Sequence, residues 1–171
     1  MNGRRLLVLT SLVAALVVAT PAVGVAARGG TDRPLKGKTL GASTIDLATG
    51  TGTSQGTGTF SHLGRTTYTL TFTFALTGPT TIGLNGTGTL VAANGDQVFV
   101  TFTGTATVPS PIPVVGQTSD FTLVSTITGG TGRFSGASGT TTSTGVQEVV
   151  SVAGTTVGTR ETTTHQGQIS Y

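Results

Sequence analysis

The chain has 171 residues, enough for one domain, with 36% hydrophobic and only 9% charged residues, against a usual charged share of roughly 25%. It has no cysteine, which excludes disulfides and thiolate metal sites, and its threonines alternate with apolar residues, a strand chemistry rather than the charged composition of disorder. The pI near 10.0 comes from residues before position 39. The rest of the chain sets Arg65, Arg133 and Arg160 against Asp46, Asp96, Asp120, Glu148 and Glu161, a net of minus two that excludes a basic stripe for nucleic acid.

Residues 1–27 have the order of a secretory signal. Arg4 and Arg5 form a basic start, Leu6 to Ala19 an apolar stretch, and Val25-Ala26-Ala27 a small-residue cleavage site. A retained anchor needs about 20 apolar residues to cross a bilayer, and Pro21 and Gly24 interrupt any extension to that length. Cleavage is therefore favoured, leaving no integral membrane segment and placing the mature protein outside the cell or in its envelope. Residues 28–38 mix Gly, Pro and charge without periodicity, and predict a flexible tail.

From residue 39 the pattern takes a period of two, and the domain is expected to span 39–171. Strands are predicted over roughly 40–48, 55–63, 65–77, 84–93, 96–108, 118–128, 138–152 and 155–169. Between the second and third, His62 and Arg65 flank Leu63-Gly64. As functional residues they would grip an anionic ligand at a barrel rim; as turn residues, the favoured alternative, they would bond to backbone or water. The third strand is the clearest, with Tyr68, Leu70, Phe72, Phe74 and Leu76 alternating with Thr69, Thr71, Thr73 and Ala75, so that one face is buried and the other wet. Asn94-Gly95 predicts a hairpin with a type I′ turn before the fifth strand. That strand sets Val98, Val100, Phe102 and Ala106 against Thr101, Thr103, Thr105 and Thr107. The run Val108-Pro109-Ser110-Pro111-Ile112-Pro113 cannot pair in a ladder and predicts a loop beside a barrel mouth. The sixth strand sets Phe121, Leu123 and Ile127 against Thr122 and Thr126. Arg133, in the glycine turn that follows, is expected to pair with Asp120 or Glu148, a structural use favoured over a catalytic one. On the last strand Glu161, Thr163 and His165 share one face. With His62 they would offer metal ligands, but an exposed, solvated face is favoured and no metal site is assigned.

Eight short antiparallel strands joined mainly by tight turns fit a closed barrel or a sandwich. Closure removes sheet edges, and Gly86, Gly88 and Gly104 inside strands suit the bends that closure needs. The expected fold is all-β, a single eight-stranded antiparallel barrel after an N-terminal signal peptide.

The turn Gly129-Gly130-Thr131-Gly132-Arg133-Phe134-Ser135-Gly136-Ala137-Ser138-Gly139 resembles the signature of dirigent proteins and the wider allene oxide cyclase barrel family. Phe134 is placed to plug a barrel end, with Gly136 and Gly139 packing the start of the next strand. Phe60 to Arg65 and Ala92 to Asp96 look like recurrent pieces of small exported bacterial proteins with that barrel. The resemblance implies an eight-stranded barrel with a central cavity, often in an oligomer. Ser138 stands where the dirigent signature commonly has Arg, and the Cys of cyclase cavities has no counterpart, so no activity is implied. The same glycines do not make a dinucleotide loop, since Ser135 takes the third Gly position and a strand follows. Gly136-Ala137-Ser138-Gly139-Thr140 ends in Thr, which excludes a hydrolase elbow.

No cofactor motif and no catalytic constellation is present. The expectation is an exported, non-catalytic barrel that binds a small hydrophobic molecule or serves the cell envelope. His62, Arg65 and Arg133 are its candidate ligand contacts, and homo-oligomers are open to it. The alternative is a cyclase-like or dirigent-like enzyme steering a reactive small molecule, which inward Asp, Glu or Arg would favour. A coat or adhesion protein assembling through Thr-rich outer faces is a third possibility.

Overall fold

The computed structural model describes residues 30–171; the export segment expected over 1–27 lies outside the described residues. Eight antiparallel strands close into a barrel: β1 Arg33–Asp46, β2 Thr51–Phe60, β3 Gly64–Leu76, β4 Thr81–Val91, β5 Gln97–Thr107, β6 Thr118–Gly130, β7 Ser138–Ala153 and β8 Thr156–Ser170. Each strand pairs with its sequence neighbours, and β1 closes on β8. Closure gives every strand two partners, so no edge is left to pair with another chain.

The strand β1 begins at Arg33, inside the stretch expected to be a tail. Residues 33–38 pair with β8 down to Ile169, because closing the barrel needs a partner for the whole of β8. Leu35 turns inward there, and Arg33 lies over the Tyr171 ring at 4.7 Å. Lys36 and Lys38 point outward on this strand, which is why their charge does not prevent it.

The sheet sorts residues by parity. On β3 to β6 the apolar set faces the lumen, including Tyr68, Phe72, Phe102 and Phe121, while Thr69, Thr71, Thr101 and Thr103 stand outside. The outer threonines align across strands, as Thr53, Thr71, Thr87 and Thr101 do from β2 to β5.

The two barrel ends differ. One is closed by a cluster of Leu35, Phe60, Leu63, Ala92, Val98, Ile127, Phe134, Ala137 and Ile169. The turn after β6 folds into a short 3₁₀ turn, Gly132–Phe134, that inserts Phe134 at 0% exposure. Gly132 has φ of +55°, and a Cβ there would lie 1.9 Å from the Asp96 carboxylate, so the turn needs glycine on both counts. Gly139 does pack closely on the β8 backbone, whereas Gly136 serves the turn at φ +80° with open space around it.

The Asn94-Gly95 hairpin forms, but with different geometry from that expected. Gly95 alone takes positive φ, at +87°, and its N–H donates to the Ala92 carbonyl. That is a type I turn followed by a left-handed glycine, the three-residue hairpin solution rather than type I′.

The other end is the mouth, bordered by the turns after β1 and β3 and by the proline-rich segment 108–117. Gln117 organises that segment: its side chain donates to the Ser110 carbonyl and accepts from the Val114 N–H. Backbone bonds join Gly116 and Gln117 to Val149.

Candidate functional site

A cavity of about 200 Å³ runs down the lumen from the mouth to the plug. Pro111, Pro113 and Gln117 border it at the mouth, and Leu63 and Ile127 at the closed end. One wall is apolar and comes from β3 to β6: Leu70, Phe72, Leu84, Val100, Phe102 and Leu123. The facing wall, from β7, β8, β1 and β2, is polar. Glu161, Thr163 and His165 line it together with Thr39, Ser43, Ser54 and Ser143. The favoured expectation of a solvated face for the β8 trio is therefore corrected, since pairing to β1 and β7 turns this parity inward.

Glu161 is held across four strands. In register it faces Gly41 on β1, which faces Gly56 on β2, which faces Tyr68 on β3. The two glycines leave an open trough, and Tyr68 lies along it to reach the carboxylate. A Cβ at Gly41 would sit 1.9 Å from the Tyr68 hydroxyl. Tyr68 donates to Glu161 Oε1 at 2.8 Å, Ser54 donates to the same oxygen, and Ser43 donates to Oε2 at 3.2 Å. Burial, and then the negative charge of Glu161, push the Tyr68 phenol well above its ordinary value.

Deeper in the lumen His165 shares hydrogen bonds with Thr39 at Nε2, 3.0 Å, and with Ser143 at Nδ1, 2.7 Å. Its ring lies 4.8 Å from that of Phe60. Burial lowers its pKa from 6.5 to about 4, so the imidazole is neutral at pH 7. Nearer the mouth Thr159 also faces the lumen, at 2% exposure, and its hydroxyl has no hydrogen-bond partner among the described residues. Such an orphan is unusual for a buried polar atom.

The three ligand candidates read from the sequence lie elsewhere. His62, Arg65 and Arg133 are all exposed at the closed end, outside the plug. His62 and Arg133 come together, the guanidinium donating to the His62 carbonyl and lying 4.7 Å from the Phe134 ring centre. Arg65 stands on the first turnward residues of β3, opposite Thr59. The expected partners of Arg133 are replaced by Asp96, whose carboxylate accepts the Arg133 backbone N–H at 3.1 Å. Asp120 and Glu148 lie at the mouth end, where Glu148 pairs with Arg160 at 2.8 Å. Asp96 is held below the usual carboxylate range by the Arg133 N–H, then by the Asn94 amide. This constellation latches the plug and does not touch the lumen.

Tyr68, Ser54, Ser43 and Thr159 are lumen residues that the sequence reading did not single out as polar contacts. The signal available for them is the paired glycines, Gly41 and Gly56, each at an inward strand position where a side chain is expected. Among the described residues no group of three or more His, Asp or Glu is placed to hold a metal ion. Comparison with protein-family models, curated proteins and solved structures returns no match, so the chemistry of the site rests on its own residues.

Proposed function

We propose that the protein is an exported binding protein for a small, largely apolar molecule held in the barrel lumen. The observation that carries this is the continuous cavity of about 200 Å³ between the Phe134 plug and the mouth, with one hydrocarbon wall and one polar wall. Cavities with mainly apolar lining and a few convergent polar groups are the usual form of small-molecule sites. An apolar protein cavity of roughly 150 Å³ already takes up benzene. The signal-like order of residues 1–27 supports export.

The test is a methyl NMR titration of the mature domain with toluene. Shifts at Leu70, Leu84 and Val100, which line the lumen, are expected, with none at Val124 and Val146 on the outer wall. Saturating toluene that moves only the outer methyls, or none, overturns the proposal.

A second function is favoured by the inward placement of Glu161, Tyr68 and His165: a cyclase-like or dirigent-like enzyme that steers a reactive molecule in the cavity. The two differ in outcome, because a binding protein returns its ligand unchanged and an enzyme does not.

A further inference from the structure

The lumen has an unbalanced charge. Glu161 is the one carboxylate lining it among the described residues, and neither Lys nor Arg lines it. The three groups that donate to Glu161 are neutral hydroxyls. They satisfy lone pairs without supplying positive charge. His165 is occupied on both ring nitrogens by Thr39 and Ser143 and is neutral at pH 7. A half-buried carboxylate screened from bulk water gains from a counter-charge, and no cationic side chain lines the lumen among the described residues.

Two acceptors remain unspent on the same inward face of β8. A carboxylate has about four lone-pair sites, and the hydroxyls use three. Thr159 Oγ1, buried and without a partner, lies two residues towards the mouth on the same inward face of β8. Two residues along a strand span roughly 7 Å, and Ser43, which donates to Glu161, is the cross-strand neighbour of Thr159. An ammonium carries three donors and no acceptor, which matches this pair. Tyr68 and Phe72 of β3 line the same lumen, and aromatic rings attract a cation that comes over their faces.

We propose that the lumen selects an amphipathic amine, its ammonium on Glu161 and Thr159 and its hydrocarbon body against Phe72, Leu84 and Phe102. This rests on the binding function proposed above and names its ligand class. A carboxylate of the same skeleton meets like charge at Glu161 and no cation. A neutral alcohol gains the hydrocarbon contacts alone. The incoming cation adds charge-assisted hydrogen bonds worth roughly a ten- to hundredfold in affinity.

The experiment is calorimetric titration of the mature protein at pH 7 with 3-phenylpropylamine, 3-phenylpropan-1-ol and 3-phenylpropanoate. The amine is expected to bind about tenfold or more tighter than the alcohol, and the carboxylate weakest. Glu161→Gln should bring the amine down to the alcohol while leaving the alcohol unchanged. Thr159→Val, which keeps the lumen charge and volume, should weaken the amine several-fold and carries the test if Glu161→Gln does not fold. Leu84→Trp should abolish binding of amine and alcohol alike by filling the cavity. An alcohol that binds as tightly as the amine overturns the amine proposal and leaves the binding function standing. Amine preference that survives Glu161→Gln also overturns it. Failure of all three probes overturns the binding function itself.

Discussion

Replacing Gly41 by Ala should loosen the barrel through a residue that makes no side-chain contact of its own. The new Cβ would lie 1.9 Å from the Tyr68 hydroxyl and 2.8 Å from the Gln55 carbonyl. Strand β1 is paired on both sides, so the tyrosine must give way more than the backbone. Moving it breaks the 2.8 Å bond to Glu161, and a hydrogen bond to a charged group contributes about 1.5–3 kcal/mol. Overpacking costs about 1–3 kcal/mol; the movement of Tyr68 relieves its own share, and the 2.8 Å approach to the Gln55 carbonyl is taken up by small shifts of the paired strands. Against these, Gly→Ala lowers unfolded-state entropy by about 0.4–1 kcal/mol. The expected net loss is about 1–3 kcal/mol. At an m-value near 2 kcal/mol/M that shifts the urea midpoint down by about 1 M. The decisive comparison is the same substitution in a Tyr68→Leu background, where no hydroxyl stands in the way. The cost there should be smaller by at least about 1 kcal/mol, since residues in contact couple. Equal costs in both backgrounds, or no loss in either, would refute the trough.

Phe134→Ala should lower stability by about 3–5 kcal/mol in urea unfolding, the range for deleting a buried aromatic side chain, because Phe134 is fully buried and packs on Tyr171 at 4.9 Å. A loss under about 1 kcal/mol would mean the closed end is not part of the core. His165 should make stability depend on pH. Its folded pKa is depressed to about 4 from 6.5, so between those values the unfolded chain binds a proton that the folded one does not. The contribution is complete above about pH 6.5 and falls away as the pH drops towards 4, by about 3 kcal/mol in all. Urea midpoints between pH 4.5 and 7 should show this slope for the wild type and not for His165→Gln; the same slope in both would refute it.

The alternation on β3 was legible because its two faces differ in kind, apolar on one parity and threonine on the other. On β8 both faces carry threonine: Thr159 and Thr163 point in, Thr162 and Thr164 out. Hydrophobicity therefore gives no direction there, and the charge of Glu161 favours solvent until pairing on both sides of β8 is known. The start of β1 was hidden for a related reason. Its inward positions before Thr39 are Leu35 and Gly37, too few to outweigh Lys36 and Lys38 in a short window. The plug was legible locally, since Phe134 follows glycines that permit a tight turn. The Tyr68–Glu161 contact was not, because it joins residues 93 positions apart through the registers of three separate strand pairs. The partner of Arg133 is hidden for the same reason: that Asp96, and not Asp120 or Glu148, shares its barrel end is a property of topology.

Closure also bears on why a cysteine-free domain can keep a lumen of this size. At roughly 24 cal/mol per Å³, the rate found for cavities left in packed cores, about 200 Å³ corresponds to about 5 kcal/mol, as large as the whole net stability of many domains. A barrel tolerates this because the closed ladder satisfies its backbone without help from the lumen. The packed cluster around Phe134 closes one end with contiguous apolar burial, which the residues lining the lumen do not have to supply. Glycines at Gly41 and Gly56 then let Tyr68 and Glu161 meet where two side chains would otherwise have packed. Close packing and the open, partly polar lumen are thereby combined in one barrel. A molecule that fills the mouth half and balances Glu161 would recover part of the stabilisation that the open lumen forgoes.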